Sequence, residues 1–524
     1  MRSSTIAAAA FATLLGSGVA PLAHAQDGYQ TPPADIAAIV TRAPAPRVSL
    51  SPDKATMLLM EREALPPVSE LAKPMEKLAG MRLDANINDR HGPRAFVGLT
   101  LQDVATGKRR AVALPEDADI GDIVWSLDGS KIAFTNTRRD AMDLHVLDVA
   151  SGEVATLMAG GVNCIFQNPT WMADGSLLVM TIPEGRGPKP LRSLTPTGPA
   201  IQDASGGQDA QTRTFQDLLK DPHDEAMFQW LATSQPIIMD ADGSNKRMVG
   251  SPRIYTRLSR STDSQYLLME WLSEPFSYQV PWYRFPRTSA VFTINGEFVA
   301  TIAEQPLADA LPVQGVVTGP RNIQWHPTED ALLMWAEAQD GGDPRTETDN
   351  RDNMMALAAP FDGDAAVIAR LEDRASGALG LEGSDDLLVY EYDRDTRELR
   401  ETLIDVTGGA APREISVRNV QDAYNDPGNL VRTITDRGRS VVRVVDGKAL
   451  LTGMGATPEG LRPFLRRFDL ATLETEEIWR NAGEQLESVI DVLSDDGSEF
   501  LTFYESPTNP GNFRVHSDGE ARFV

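Results

Sequence analysis

Two arginines set among aromatics are the residues best suited to chemistry: Arg284 and Arg287 in Pro281-Trp282-Tyr283-Arg284-Phe285-Pro286-Arg287. A guanidinium presents a planar fork of N–H donors that matches a carboxylate bidentately. Aromatic neighbours would give that fork a rigid, dry seat. The pattern suits an ordinary packed or surface arginine as well as a binding one. Arg462, Arg466 and Arg467 form a similar cluster with fewer aromatic neighbours.

Nucleophilic chemistry finds less support. No G-x-S-x-G occurs, the strand–turn–helix elbow that presents a catalytic serine. His91, His145, His223, His326 and His516 are the histidines past the N-terminal segment, and none has a catalytic context. His145 reads as a packed strand residue and His326 as a turn residue, so no catalytic residue is assigned. There is no H-E-x-x-H, and the lone Cys164 has no Cys or His partner for zinc. Asp340, Asp343, Glu347, Asp349 and Asp352 carry oxygen ligands that suit calcium, but not at calcium-loop spacing. They read as a solvated polar loop, with no metal and no cofactor. An S-x-D-x-G-x-x-W box is excluded, because Gly follows Asp directly at Asp128-Gly129 and Asp174-Gly175.

The elements that would hold these residues announce themselves as a repeat. Each unit is an apolar or aromatic residue, a polar turn rich in Ser, Asp and Gly, and then a short apolar run. Trp125-Ser126-Leu127-Asp128-Gly129-Ser130-Lys131-Ile132-Ala133-Phe134 is the clearest copy. Others begin at Ser51 and Trp171 and precede Tyr266, Ala331, Asp386, Ala449 and Phe500, eight in all. Asp bonds its own turn backbone and Gly accepts positive φ. The apolar run is too short for a helix and fits a strand buried on both faces. Such a period predicts an all-β propeller of eight blades over residues 49–524, with seven as the alternative if the first copy completes the last blade. Trp125, Trp171 and Trp325 share one position and should pack between neighbouring blades. Residues 184–235 and 340–353 read as insertions. Asp221 before Pro222 predicts a helix N-cap, hence a short helical insertion projecting as an arm.

The chain of 524 residues carries a formal net charge of −26, too acidic for nucleic acid and repelled by anionic lipid. Arg2, the apolar run Ile6–Val19 and Ala23-His24-Ala25 read as a signal peptide over residues 1–25 with no membrane anchor, so the chain is expected to be exported, periplasmic or secreted. Residues 26–48 read as a lead-in segment with a helical stretch near Ile36–Val40. One cysteine cannot form an internal disulfide, so the fold rests on packing.

Several stretches, in their joint order, resemble the prolyl oligopeptidase family of serine peptidases in its glutamyl endopeptidase branch. They are Tyr29-Gln30-Thr31-Pro32-Pro33, Leu78-Ala79-Gly80-Met81-Arg82, Arg213-Thr214-Phe215-Gln216-Asp217-Leu218-Leu219 and Pro275-Phe276-Ser277-Tyr278. Trp335-Ala336-Glu337-Ala338, Asp340-Gly341-Gly342-Asp343, Arg462-Pro463-Phe464 and Glu505-Ser506-Pro507-Thr508-Asn509-Pro510 continue the series. The resemblance implies a propeller that gates access of a peptide substrate to a C-terminal α/β-hydrolase domain bearing Ser, Asp and His. It also implies a cation to pair with a substrate carboxylate, for which Arg284 and Arg287 are the substrate-binding candidates. This sequence offers no positions for that domain or triad, so the expectation is a substrate-gating propeller that is not catalytic by itself. The alternative is a free-standing periplasmic propeller that binds a protein or peptide.

Overall fold

A computed structural model describes residues 32–92, 96–115, 117–193, 214–407 and 410–524. The expected signal peptide, residues 26–31 and the Gly/Pro-rich stretch 194–213 lie outside the described residues. The chain divides into a unit of residues 1–43, with a helix Ala34–Val40, and a unit Pro44–Val524.

The larger unit holds eight main antiparallel sheets of consecutive strands, the eight blades. Blade 1 is Arg47–Leu50, Thr56–Glu61, Gly98–Asp103 and Arg109–Ala111. Blade 4 is Ile254–Arg260, Tyr266–Leu272, Arg287–Thr293 and Phe298–Gln305. Blade 8 is Leu486–Val492, Phe500–Glu505, Asn512–Ser517 and Glu520–Phe523. In blades 1, 2 and 3 the second strand follows the turn and carries a run of at least four buried residues, as its apolar sequence requires.

Eight apolar clusters weld neighbours, from blade 1 onto blade 2 (Leu58, Leu99, Ile132, Phe134) round to blade 8 onto blade 1 (Leu501, Phe513, Val515, Met57). The first copy of the repeat founds its own blade, which excludes seven. The ring therefore closes by packing, without a strand shared between the ends of the chain. Lys54 pairs with Asp491 at 2.6 Å across this seam, and Arg522 Nη2 donates to Val104 O at 2.7 Å. Each tryptophan of the repeat reaches the first strand of the preceding blade. Trp125 Nε1 donates to Ser49 Oγ (2.9 Å), Trp171 Nε1 to Val124 O (3.1 Å) and Trp325 Nε1 to Ser259 O (2.9 Å).

Up-and-down strands give the ring two unlike faces. One carries the turns between first and second strands. There a serine donates to an Asp two residues on, at Ser51/Asp53, Ser126/Asp128, Ser261/Asp263 and Ser494/Asp496, and accepts from the returning backbone. This face is also crossed by a hairpin, Arg432–Ile434 and Ser440–Val442, which no repeat predicts. Its second strand adds in parallel to the inner edge of blade 6 (Gly380↔Val441, Leu381↔Val442). Its tip lies against Leu127 of blade 2 and Arg260 of blade 4. Blades 2 and 6 stand opposite one another in a ring of eight, so the hairpin spans the axis.

The other face bears the insertions, and the strand directions place both ends of the ring, Arg47 and Phe523, on it. A small sheet (Glu76–Leu78, Met81–Asp84, Asp89–Arg90) rises from blade 1 and a helix Pro222–Ala232 from blade 3. Asp221 caps the helix by accepting from Asp224 N at 3.0 Å, as its sequence predicts. The helix is not the projecting arm expected. Met227, Phe228 and Leu231 are buried against Leu78, Met81, Leu83 and Phe285, because an apolar helix face of this size needs cover.

Candidate arginine pocket on the insertion face

The segment carrying Arg284 and Arg287 is fixed by aromatics. Phe228 meets Phe276 and Phe285 edge to face, with ring centres 5.4 and 6.0 Å apart. Trp282 N donates to Ala79 O (2.9 Å) and Gly80 N to Asp217 O (2.8 Å). Gly80 has φ +85° and a Cβ there would lie 2.5 Å from Pro281 Cβ, so only glycine lets the two strips approach. Arg82 Nε completes the joint on Asp217 at 2.8 Å. Three sequence stretches far apart in the chain, around Leu78–Arg82, Phe215–Leu219 and Pro275–Tyr278, thus form one platform.

Beside the platform, between blades 4 and 5, lies a cavity of about 510 Å³ lined by Arg257, Arg284, Arg287 and Arg321, with Glu270 and Tyr283. The structure brings Arg284 and Arg287 together here. Arg462, Arg466 and Arg467 lie elsewhere, on blade 7, where Arg467 pairs with Glu476 (2.6 Å) and Arg466 with Glu477 (3.8 Å). Arg284 Nη1 reaches Ala308 O (3.4 Å), and its guanidinium sits 5.5 Å from the centre of the Phe215 ring. Arg287 Nη1 meets Glu270 Oε1 at 3.4 Å, while its Nη2 is buried with no hydrogen-bond partner among the described residues. Glu270 is itself steadied by Thr256 Oγ1 at 2.6 Å.

Arg257 and Arg321 were not singled out from sequence. Arg257, on the first strand of blade 4, donates Nη1 to Ile323 O at 2.9 Å. It stays open to water, yet the protein around it lowers its pKa by burial, against the opposing charge of Glu270. Arg321 ion-pairs with the wholly buried Asp352. Arg321 lies four residues before Trp325 on the first strand of blade 5 and Arg257 on the first strand of blade 4, and neither carries a sequence signal.

The acidic loop is corrected. Asp340 and Asp352 are buried, not solvated, because Arg321, Arg351 and Arg374 converge on them (Arg351–Asp340 3.1 Å, Arg374–Asp352 2.9 Å). Arg321 and Arg374 come from two other strands, which made this invisible to a reading by loop composition. Four guanidiniums therefore line the cavity with one carboxylate, Glu270, while the buried Asp352 pairs with Arg321 outside the lining, in a protein of net charge −26. Such a pocket attracts an anion.

The histidines are structural. His145 stacks on Phe134 (5.2 Å) and contacts Thr156 Oγ1 (3.2 Å). His326 is fully buried in the blade 5 turn, where Nδ1 accepts from Glu329 N at 3.1 Å and burial pushes its pKa down to about 4. His516 lies 2.7 Å from Glu487 and stacks on Phe500 (4.5 Å).

No family model matches the chain. It is 38% identical over 521 aligned residues to the probable chloroplastic glutamyl endopeptidase of Oryza sativa subsp. japonica, covering 93% of this chain and 55% of that protein. It is 36% identical over 494 residues to the probable chloroplastic glutamyl endopeptidase of Arabidopsis thaliana, covering 89% and 51%. The chain thus spans about half the length of the curated relatives it matches. Among solved structures, dipeptidyl peptidase 4 of Porphyromonas gingivalis aligns at a TM-score of 0.47 and 12% identity, covering 93% of this chain and 61% of that one.

Proposed function

Because the chain belongs to the glutamyl endopeptidase-like branch of the prolyl oligopeptidase family and carries its propeller, we propose that it is the substrate-gating part of an exported serine peptidase. In this reading the insertion face selects peptides by an acidic side chain, and the Ser-Asp-His chemistry is supplied by a hydrolase domain outside these 524 residues. The observation that carries the reading is Arg287 Nη2, a buried donor without an acceptor among the described residues, on an arginine that lines a cavity rich in guanidiniums. Glu270 holds one arm of the fork, leaving the other for the ligand. A peptide carboxylate that accepts from Arg287 would satisfy that donor, and the field of Arg257 and Arg284 would favour carboxylate over amide. A charge-assisted bond of this kind is worth roughly 1.5–3 kcal/mol, or about tenfold to a hundredfold in affinity. Export follows from the N-terminal leader expected in residues 1–25.

The test is fluorescence anisotropy of labelled, C-terminally amidated peptides that differ only in Glu or Gln. The full chain should bind the Glu peptide at least tenfold more tightly, and Arg287→Gln should abolish the preference. Equal binding of the two peptides overturns the reading. A free-standing binding propeller would show the same preference without an associated hydrolase. Fluorophosphonate labelling of material captured with this chain from source cells separates the two.

A further inference from the structure

The hairpin across the turn face ends in a second group of arginines that the peptide pocket does not use. Arg439 Nη2 donates to the carbonyl of Arg260, and Arg260 Nη2 donates to the carbonyl of Arg437. The hairpin tip is thereby tied to the first strand of blade 4, three residues beyond Arg257. Gly438, φ +71°, makes the approach possible, since a Cβ there would lie 2.5 Å from Arg260 Nη2. Arg260 is only 7% exposed, and Arg439 Nε is buried with no partner among the described residues.

Neither Arg260 nor Arg439 has a carboxylate within ion-pair distance among the described residues; their hydrogen bonds go to carbonyls and to Ser264 Oγ. The carboxylates whose fields reach them are committed elsewhere. Asp263 accepts from Ser261 Oγ and Gln265 N in its own turn, and Asp174 accepts from Ser176. Burial, followed by the charges of Arg260 and Arg257, lowers the pKa of Arg439 to about 10. Like charges gathered in a poorly hydrated place destabilise one another unless an anion joins them.

We propose that the axial floor of the ring, where Arg260 meets Arg439 of the hairpin, is a binding site for a small oxyanion that fastens the hairpin across the axis. Phosphate and the free carboxylate of a peptide share the required chemistry: two or more acceptor oxygens for guanidinium donors. Binding there closes one end of the ring and leaves the insertion face as the open one. The inference does not depend on the peptide-selection reading, because neither Arg260 nor Arg439 lines the peptide pocket.

Thermal unfolding of the full chain in sodium phosphate against sodium chloride of equal ionic strength tests it. Phosphate at about a hundredfold excess over its Kd should raise Tm by at least about 2 °C. Arg439→Gln should lose the rise, Arg439→Lys should keep part of it, and Arg287→Gln should retain it in full. N-acetylglutamate in place of phosphate distinguishes the sources: displacement of one by the other marks a shared site, and a response to one alone names the ligand. If Arg439→Gln does not fold, equilibrium dialysis of the wild type decides, with one phosphate or N-acetylglutamate per chain expected. No response to either anion in the wild type, or an equal response in Arg439→Gln, overturns the proposal.

Discussion

The two faces of the ring are built from opposite materials. The turn face is made of short units, and in blades 1, 2, 4 and 8 a serine, an Asp and a positive-φ residue close the loop within a few residues. The insertion face is made of long segments from blades 1, 3 and 4 that meet in one shared core around Phe228, Phe276, Phe285 and Gly80. Stability on the first face is local and repeated, so damage to one turn should stay in one blade. On the second it is pooled, so one substitution should disturb segments far apart in the chain, including the one that holds Arg284 and Arg287. This is why the candidate site stands on the insertion face: a shape specific to one ligand needs parts that differ from one another.

The sharpest way to break the comparison is Phe228→Ala. Loss of a wholly buried ring should cost about 3–5 kcal/mol. Hydrogen exchange should rise together around residues 78–82 and 275–287 while the turn face stays protected. Loss of protection spread evenly round the ring would show that the faces are not separate. His326 sharpens the other side. Unfolded, it binds a proton near pH 6.5; folded, only near pH 4, because burial disfavours the charged form. Its contribution is full above pH 6.5 and is lost as pH falls towards 4, by up to about 3 kcal/mol. Denaturant unfolding of wild type and His326→Ser, the residue used at the same turn position by Ser51 and Ser126, should show this slope only in the wild type. Gly80→Ala forces a Cβ onto Pro281 at positive φ and should cost roughly 2 kcal/mol, with peptide binding weakened alongside stability. Trp125→Phe removes one hydrogen bond to Ser49 and should cost about 1 kcal/mol, read as a small shift in the denaturation midpoint with peptide binding untouched.

Sequence exposed the turn face far better than the insertion face, for the same reason. The Ser-Leu-Asp-Gly turn at residues 126–129 and the tryptophan before it act within a few residues, so the eight blades and the interblade role of Trp125, Trp171 and Trp325 were legible. The Asp221 cap was legible too, but the burial of its helix was not, because its partners lie in blades 1 and 4. Arg284 and Arg287 stood out by their aromatic neighbours. Arg257 and Arg321 did not, since the pocket exists only once two blades are side by side. Asp340 and Asp352 were misread because an acidic loop looks solvated until Arg321 and Arg374, from other strands, are placed over it beside its own Arg351. The hairpin at residues 432–442 lies inside one repeat interval and carries no turn motif of the repeat kind.

The most direct test of the central claim is the affinity of the full chain for an amidated Glu peptide before and after Arg287→Gln, with circular dichroism confirming that the fold is kept. The account predicts at least a tenfold loss for the Glu peptide and almost none for its Gln counterpart. An unchanged Glu-peptide affinity in a folded Arg287→Gln chain would contradict it.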